Sequence, residues 1–364
     1  MLHVLIRNTI HGLMLPLILA TTLKPTTASE MLQTFFENSP LKPAKAAPPA
    51  SPGMVYQSAG ALWQIMANGQ AQQILARDHV TLSADGKRAF FSQDADLWMA
   101  DLSNGSETNL TNTPDRDEQS PKSWTAKPNI LIFNSRSFDN FGPSEGALSM
   151  INLDGSGYRV LDTGESNALP APAPDGRSIA YDVGLKPKIY RLASSPENVD
   201  LRRMLPQLPA DYKAASPAWS PNGQKLAWMV GATVAGKFQI RVALVDMTRR
   251  TAQLLHPFEA RGHGGWVEAP IFSPNGEWLA LKVPSINGTE LYVIRADGKL
   301  EKRLLVAQLP RQSNPTLTWG NDSRMLVVSF AASDGAKNYL VTIADASAIA
   351  IDLPTDARII AWLQ

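Results

Sequence analysis

The chain has 364 residues, with 34 Lys and Arg against 33 Asp and Glu, for a net charge of +1. That balance argues against nucleic acid or an anionic lipid surface as the main partner. It has no cysteine, which excludes disulfides, thiol catalysis and Cys-ligated zinc, while 44% apolar residues are enough for a large core.

Residues 1–28 read as an export signal. Arg7 carries the charge, residues 12–19 form the apolar run, and Thr26-Thr27-Ala28 is a small-residue cleavage site. The run is too short to cross a bilayer, so no integral membrane span is expected once the leader is removed. The expected location is periplasmic. The alternative is a chain anchored by an uncleaved signal, because Lys24 interrupts the region before the cleavage site. Residues 29–52 follow as a short helix and a linker. Met31, Leu32, Phe35 and Phe36 fall on one side of the helix, and Pro40, Pro43, Pro48, Pro49 and Pro52 stiffen the linker. This segment is either a helix docked on the domain, a disordered stretch or a partner-binding arm.

From residue 53 onward the chain is repetitive. Ala218-Trp219-Ser220-Pro221-Asn222-Gly223 leads into Leu226-Ala227-Trp228, two apolar strands around a tight-turn signal. In that turn Pro fixes φ, and Asn-Gly supplies residues that tolerate positive φ. Copies stand at Phe272-Ser273-Pro274-Asn275-Gly276, Ala173-Pro174-Asp175-Gly176 and Ser83-Ala84-Asp85-Gly86. Degraded copies stand at Trp124-Thr125-Ala126-Lys127-Pro128-Asn129 and Trp319-Gly320-Asn321-Asp322-Ser323. Each turn is followed by a further strand, beginning at Leu97, Leu148, Ile189, Ile240, Leu291 and Leu340. A seventh copy of that strand begins at Leu62, before any complete turn.

Short strands and turns recurring about every 35 to 50 residues mark a radial β-repeat. The expected fold is all-β: a seven-bladed β-propeller of four-stranded antiparallel blades over residues 53–364, with six blades as the alternative. In each blade strand a lines the central channel. The a–b turns lie on one face, and the d–a and b–c loops on the other. The seventh blade lacks a strand a at the near end, and Arg358-Ile359-Ile360-Ala361-Trp362 supplies one. Residues 358–363 should therefore pair with strands drawn from residues 54–75.

Leu110-Thr111-Asn112-Thr113-Pro114, Ser216-Pro217-Ala218-Trp219-Ser220-Pro221-Asn222-Gly223 and Asn152-Leu153-Asp154-Gly155-Ser156 resemble the propeller repeat of TolB and related exported β-propellers. The resemblance covers residues 53–364 and implies the fold. TolB carries an α/β domain ahead of six blades; here residues 29–52 stand between leader and repeats, and the repeat count reaches seven. Binding proteins, peptidase propeller domains and a few lyases share this repeat, so function has to come from a site.

Gly142-Pro143-Ser144-Glu145-Gly146 matches G-x-S-x-G, but a nucleophile elbow needs a strand running into a helix, and here a strand follows. No catalytic residue is assigned. His79, His256 and His263 show no metal-ligand spacing, so neither a metal nor a cofactor is expected. Asp115, Asp117 and Glu118 cluster before a strand a and read as a solvated acidic turn, with a bound cation as the alternative. The most unusual d–a loop, residues 256–268, joins Arg261, His263, Trp266 and Glu268, types suited to anchoring a partner. The b–c loop 134–146 adds Arg136, Phe138 and Phe141 on the same face. The candidate binding residues are Arg136, Arg261, His263, Trp266 and Glu268. The expected function is a non-catalytic scaffold holding a cell-envelope protein or peptide on that face. The alternative is a lyase or hydrolase acting on carbohydrate or peptide at the channel mouth.

Overall fold

The computed structural model describes residues 52–363, apart from 78, 138–145, 165–169, 193, 256–257, 260–267, 286–287, 298–302, 310–314 and 345–346. The leader, the 29–38 helix, Ser144 and three of the candidate binding residues (Arg261, His263 and Trp266) lie outside the described residues.

The chain folds into seven antiparallel sheets, each of four strands along its main path. Blade 1 runs Arg358–Trp362, Met54–Ser58, Ala61–Ile65, Ala71–Leu75 from inside outward, so its inner strand comes from the far end of the repeats. The inner strands of the other six blades are Thr81–Leu82, Arg116–Ser123, Ala171–Pro172, Lys213–Trp219, Ile271–Phe272 and Thr316–Trp319. The seven-bladed reading therefore holds, and so does the closure, with Met54 opposite Trp362 and Tyr56 opposite Ile359.

The repeated turn works differently from a two-residue Asn-Gly hairpin. Only Gly223 adopts a positive φ, of 68°. Asn222 contributes its side chain instead: Oδ1 accepts the Gln224 N–H at 3.0 Å, while Ser220 Oγ accepts the Lys225 N–H at 2.9 Å. The Gly223 N–H closes the turn on the Ser220 carbonyl at 2.8 Å. Asn275 and Ser273 repeat this at Glu277 and Trp278. Each short polar side chain thus satisfies a backbone donor that the turn would otherwise leave open.

The turns also touch one another around the ring. A Cβ on Gly223 would meet Pro174 at 3.8 Å, and one on Gly276 would meet Pro221 at 3.6 Å. Asn275 donates its N–H to Ser323 Oγ at 2.9 Å, and Gly86 abuts the Leu363 side chain. The a–b face is a collar of mutual contacts.

Among the described residues the core consists of seven buried clusters, one at each junction between neighbouring blades. Met54, Tyr56 and Ile359 of blade 1 meet Val327 and Leu340 of blade 7 in one, and Val55 and Leu62 meet Ala89 and Phe91 of blade 2 in another. Every fully buried Leu, Val or Phe here stabilises the ring by about 1.5–3 kcal/mol. A ring with seven filled junctions has no bare end.

Blade 5 departs from the pattern on the d–a/b–c face. Its two middle strands, Lys225–Val234 and Lys237–Asp246, are ten residues each. Phe258–Glu259 adds a fifth strand, placing Glu259 opposite Gln239 and Phe258 opposite Ile240. The connection from blade 4 carries a one-turn helix, Leu201–Met204, capped by the Asp200 side chain on the Arg202 N–H.

Candidate functional site

The inner strands are the only strands whose far edge faces the axis, so the channel wall follows from their register. The position one residue before the last ladder pair is occupied by Ala361, Thr81, Lys122, Ala171, Ala218, Ile271 and Thr318, taking the blades in order. All seven are partly exposed. Six are small or apolar, and Lys122 alone carries charge. Protein surrounds its ammonium, and this burial holds the lysine below its ordinary pKa, with the Glu268 carboxylate acting in the opposite direction.

A second ring lies one layer outward, at one position of strand b. Ser92, Asp182, Lys282 and Ser329 are equivalent by register, and each reaches the first turn of the next inner strand. Ser92 Oγ donates to the Glu118 carbonyl at 2.8 Å, and Asp182 Oδ1 accepts the Ser216 N–H at 3.4 Å. Lys282 Nζ donates to the Pro315 carbonyl at 2.8 Å, and Ser329 Oγ accepts the Ile359 N–H at 3.0 Å across the closing junction. The starts of strands a are irregular and leave backbone groups unpaired within their own ladder. Ser120 and Ser216, each followed by proline, adopt φ of 55° at bulges in blades 3 and 5. These four polar side chains satisfy such groups and latch blades 2, 4, 6 and 7 each to the next inner strand. Burial pushes Asp182 up to about 6, against the lowering effect of the Ser216 bond.

Lys282 also makes an ion pair with Glu268, which stands just before strand a of blade 6. Burial lowers the Lys282 pKa, Glu268 opposes the change, and the charge of Arg358 adds to it. Glu268 thus acts on both Lys122 and Lys282, and Arg358 on Lys282, at the d–a/b–c mouth. Arg136 lies on the same face near the end of its strand b, opposite Asp117 and Gly146.

Glu118 corrects the reading of the acidic turn. It is 0% exposed, not solvated. Thr113 Oγ1 donates to its Oε1 at 2.6 Å, and Thr111 Oγ1 lies 3.4 Å from its Oε2. Burial raises its pKa, the Thr113 bond opposes this, and nearby Asp96 adds to the rise. Asp96 is itself penalised by burial, but bonds from Asn109, Thr113 and Thr111 outweigh that and hold it low. The Leu-Thr-Asn-Thr-Pro segment thus serves as a clamp joining blades 2 and 3.

Neither a known protein-family profile nor any curated protein matches this chain. Solved structures do. An oligogalacturonate lyase in complex with manganese is 14% identical over 78% of this chain and 82% of its own, at a TM-score of 0.60. An oligogalacturonate lyase from Vibrio parahaemolyticus is 10% identical over 74% and 79%, at 0.57. TolB from Acinetobacter baumannii is 16% identical over 76% of this chain and 67% of its own, at 0.47. At these identities the likeness concerns the fold.

Among the described residues no group of three or more His, Cys, Asp and Glu is placed to hold a metal ion, and His79 is exposed. No described helix is long and apolar enough to cross a membrane. Of the five candidate binding residues, the structure places Arg136 and Glu268 on the d–a/b–c face. Lys122, Lys282 and Arg358 were missed by sequence reading. Lys122 had one available signal: it is the only charged residue at its position across the aligned repeats.

Proposed function

We propose that this protein is an exported, periplasmic, non-catalytic β-propeller scaffold that holds a cell-envelope protein or peptide on its d–a/b–c face. The observation that carries this reading is the inequality of the two faces. The a–b turns are spent on contacts with one another. The opposite face presents the lengthened blade 5 hairpin, the added strand Phe258–Glu259 and the charged channel mouth. Recognition concentrates on the loops that a rigid scaffold carries. Arg261, His263 and Trp266 precede Glu268 in the sequence of the same connection, and they are the proposed anchors. The test is crosslinked capture from native envelope by the full chain and by the double variant Arg261→Ala, Trp266→Ala. The variant should keep its melting temperature and lose the captured protein; undiminished capture would remove the loop from the site.

A second reading, a propeller lyase or hydrolase acting on carbohydrate or peptide at the mouth, is favoured by Lys122. A lysine whose pKa is lowered by burial is chemically suited to act as a base. Turnover of pectic oligomers by the wild type, lost in Lys122→Met, would select this reading over the scaffold.

A further inference from the structure

We propose that a cleft on blade 5 binds the free C-terminus of a partner peptide, with its last, apolar side chain against Leu208, Val230 and Leu254 and its carboxylate at Arg241. This deepens the scaffold reading and rests on it. The first support is a built cavity. The cleft has a volume of about 190 Å³ and lies between the connection from blade 4, through Leu208, and the long hairpin, through Val230 and Val234. An engineered apolar cavity of about 150 Å³ takes benzene, so this space suits one aliphatic or aromatic side chain. Leu208 and Val230 belong to the buried cluster at the junction of blades 4 and 5, and Leu254 packs against it. The hairpin is paired without a break as far as Val234 and Lys237. On its other side the Phe238 ring closes over Gly231, where a Cβ would stand 2.7 Å from it. The fold itself holds these walls, which lowers the cost of ordering them on binding.

The second support is charge. Among the described residues that line the cleft, Arg241 alone is charged. Its guanidinium has five donors, and Nη2 donates to Gln239 Oε1 at 2.8 Å, its one bond among the described residues. Beside the apolar wall, then, stands a cation held by a neutral amide, with donors to spare. One carboxylate next to one apolar group complements that set, since the guanidinium presents paired donors in the geometry of a carboxylate. The third support selects a peptide over a free acid. Past Gly231, which stands opposite Lys213, the inner edge of strand b pairs with no other described strand. Ala232 and Val234 on this stretch also line the cleft. A chain that carries the carboxylate can pair along that open edge as an added strand does, whereas a free acid has no backbone to use it. Val234 and Phe238 are exposed at the same tip.

The experiment is fluorescence anisotropy of a hexapeptide ending in Val-Leu, with a free carboxylate and fluorescein at its N-terminus, titrated with the full chain. Saturable binding is expected. Amidation of the C-terminus should weaken it by about tenfold or more, as loss of a charge-assisted contact does. Arg241→Met should weaken the acid peptide comparably and leave the amidated one little changed. Ala232→Phe, which fills the cleft, should abolish binding of both. Equal binding of acid and amide by the wild type overturns the proposal, whether or not a variant folds. Undiminished binding of the acid peptide by a folded Arg241→Met protein overturns it too. Glu259 takes the ladder position opposite Gln239, so Glu259→Gln is the control. Carboxylate-dependent binding seen only in that variant means that the native cleft supplies its own counter-charge, and it overturns the proposal. Isocaproate that displaces the peptide at the peptide's own concentration overturns the choice of a peptide. Should no peptide bind while envelope capture still depends on Arg261 and Trp266, the scaffold stands and the cleft site falls.

Discussion

Trp362 lies opposite Met54 in the innermost ladder of blade 1, and its indole N–H donates to the Pro52 carbonyl at 3.2 Å. Residues 310 apart in the chain thereby share one turn of structure. Next to them the Leu363 N–H donates to the Gly53 carbonyl at 2.8 Å. Removing residues 358–363 strips blade 1 of its inner strand and opens two of the seven core junctions. A bare apolar edge is a template for aggregation. The truncated protein is expected to aggregate or to melt far below the wild type. A monomeric truncation with an unchanged melting curve would show that the ring does not depend on this closure.

Two glycines in blade 1 separate backbone strain from crowding. Gly53 and Gly60 have φ of 83° and 72°. A Cβ on Gly53 would stand 2.0 Å from the Leu363 carbonyl oxygen, whereas one on Gly60 would have nothing within 4 Å. Gly60→Ala should cost only the left-handed penalty, about 1–2 kcal/mol. Gly53→Ala should cost clearly more, roughly 3 kcal/mol or above, because the closing strand must shift. Urea denaturation of both variants decides; equal losses would contradict the close approach at Gly53.

Asp182 gives stability a pH dependence of defined sign. The residue is 4% exposed, and burial raises its pKa from 3.8 to about 6 in the fold. A group raised in the folded state contributes stability below its unfolded pKa, and that contribution is lost as pH rises through the folded value. The wild type should therefore lose stability between about pH 4 and pH 7 from this group, by about 2–3 kcal/mol. Asp182→Asn keeps an acceptor for the Ser216 N–H and removes the charge. It should be more stable than the wild type at pH 8 and show a flatter pH profile. Parallel profiles for the two proteins in denaturant titrations at pH 5 and pH 8 would rule this out.

The leader reading is open to direct measurement. Exported protein should begin near Ser29, after Thr26-Thr27-Ala28. Intact mass of the envelope-localised protein retaining Met1 would replace cleavage by an anchor.

The repeat itself was legible without coordinates, because turn chemistry is local. Ser-Pro-Asn-Gly carries its own donors, acceptors and φ preferences, and apolar residues on both sides of it report two strands. Counting third strands against turns even located the closing strand at residues 358–363, since a missing inner strand leaves an arithmetic gap. The turn type was read less well: Asn222 serves through its side chain, not through a positive φ.

What only the tertiary structure decided is which polar residues face another blade, the channel or solvent. Glu118 reads in sequence as one member of an acidic turn, yet it is buried under Thr113 and beside Asp96. Ser92, Asp182, Lys282 and Ser329 share no residue type, yet each latches its blade to the next inner strand. Lys122 and Glu268 come from blades 3 and 6, and the charge of one acts on the other only because the ring brings inner strands back to one axis. Alternation along a strand assigns a side chain to one of two faces. In a closed ring those faces differ in dielectric and in partners supplied by distant chain, which no local pattern encodes.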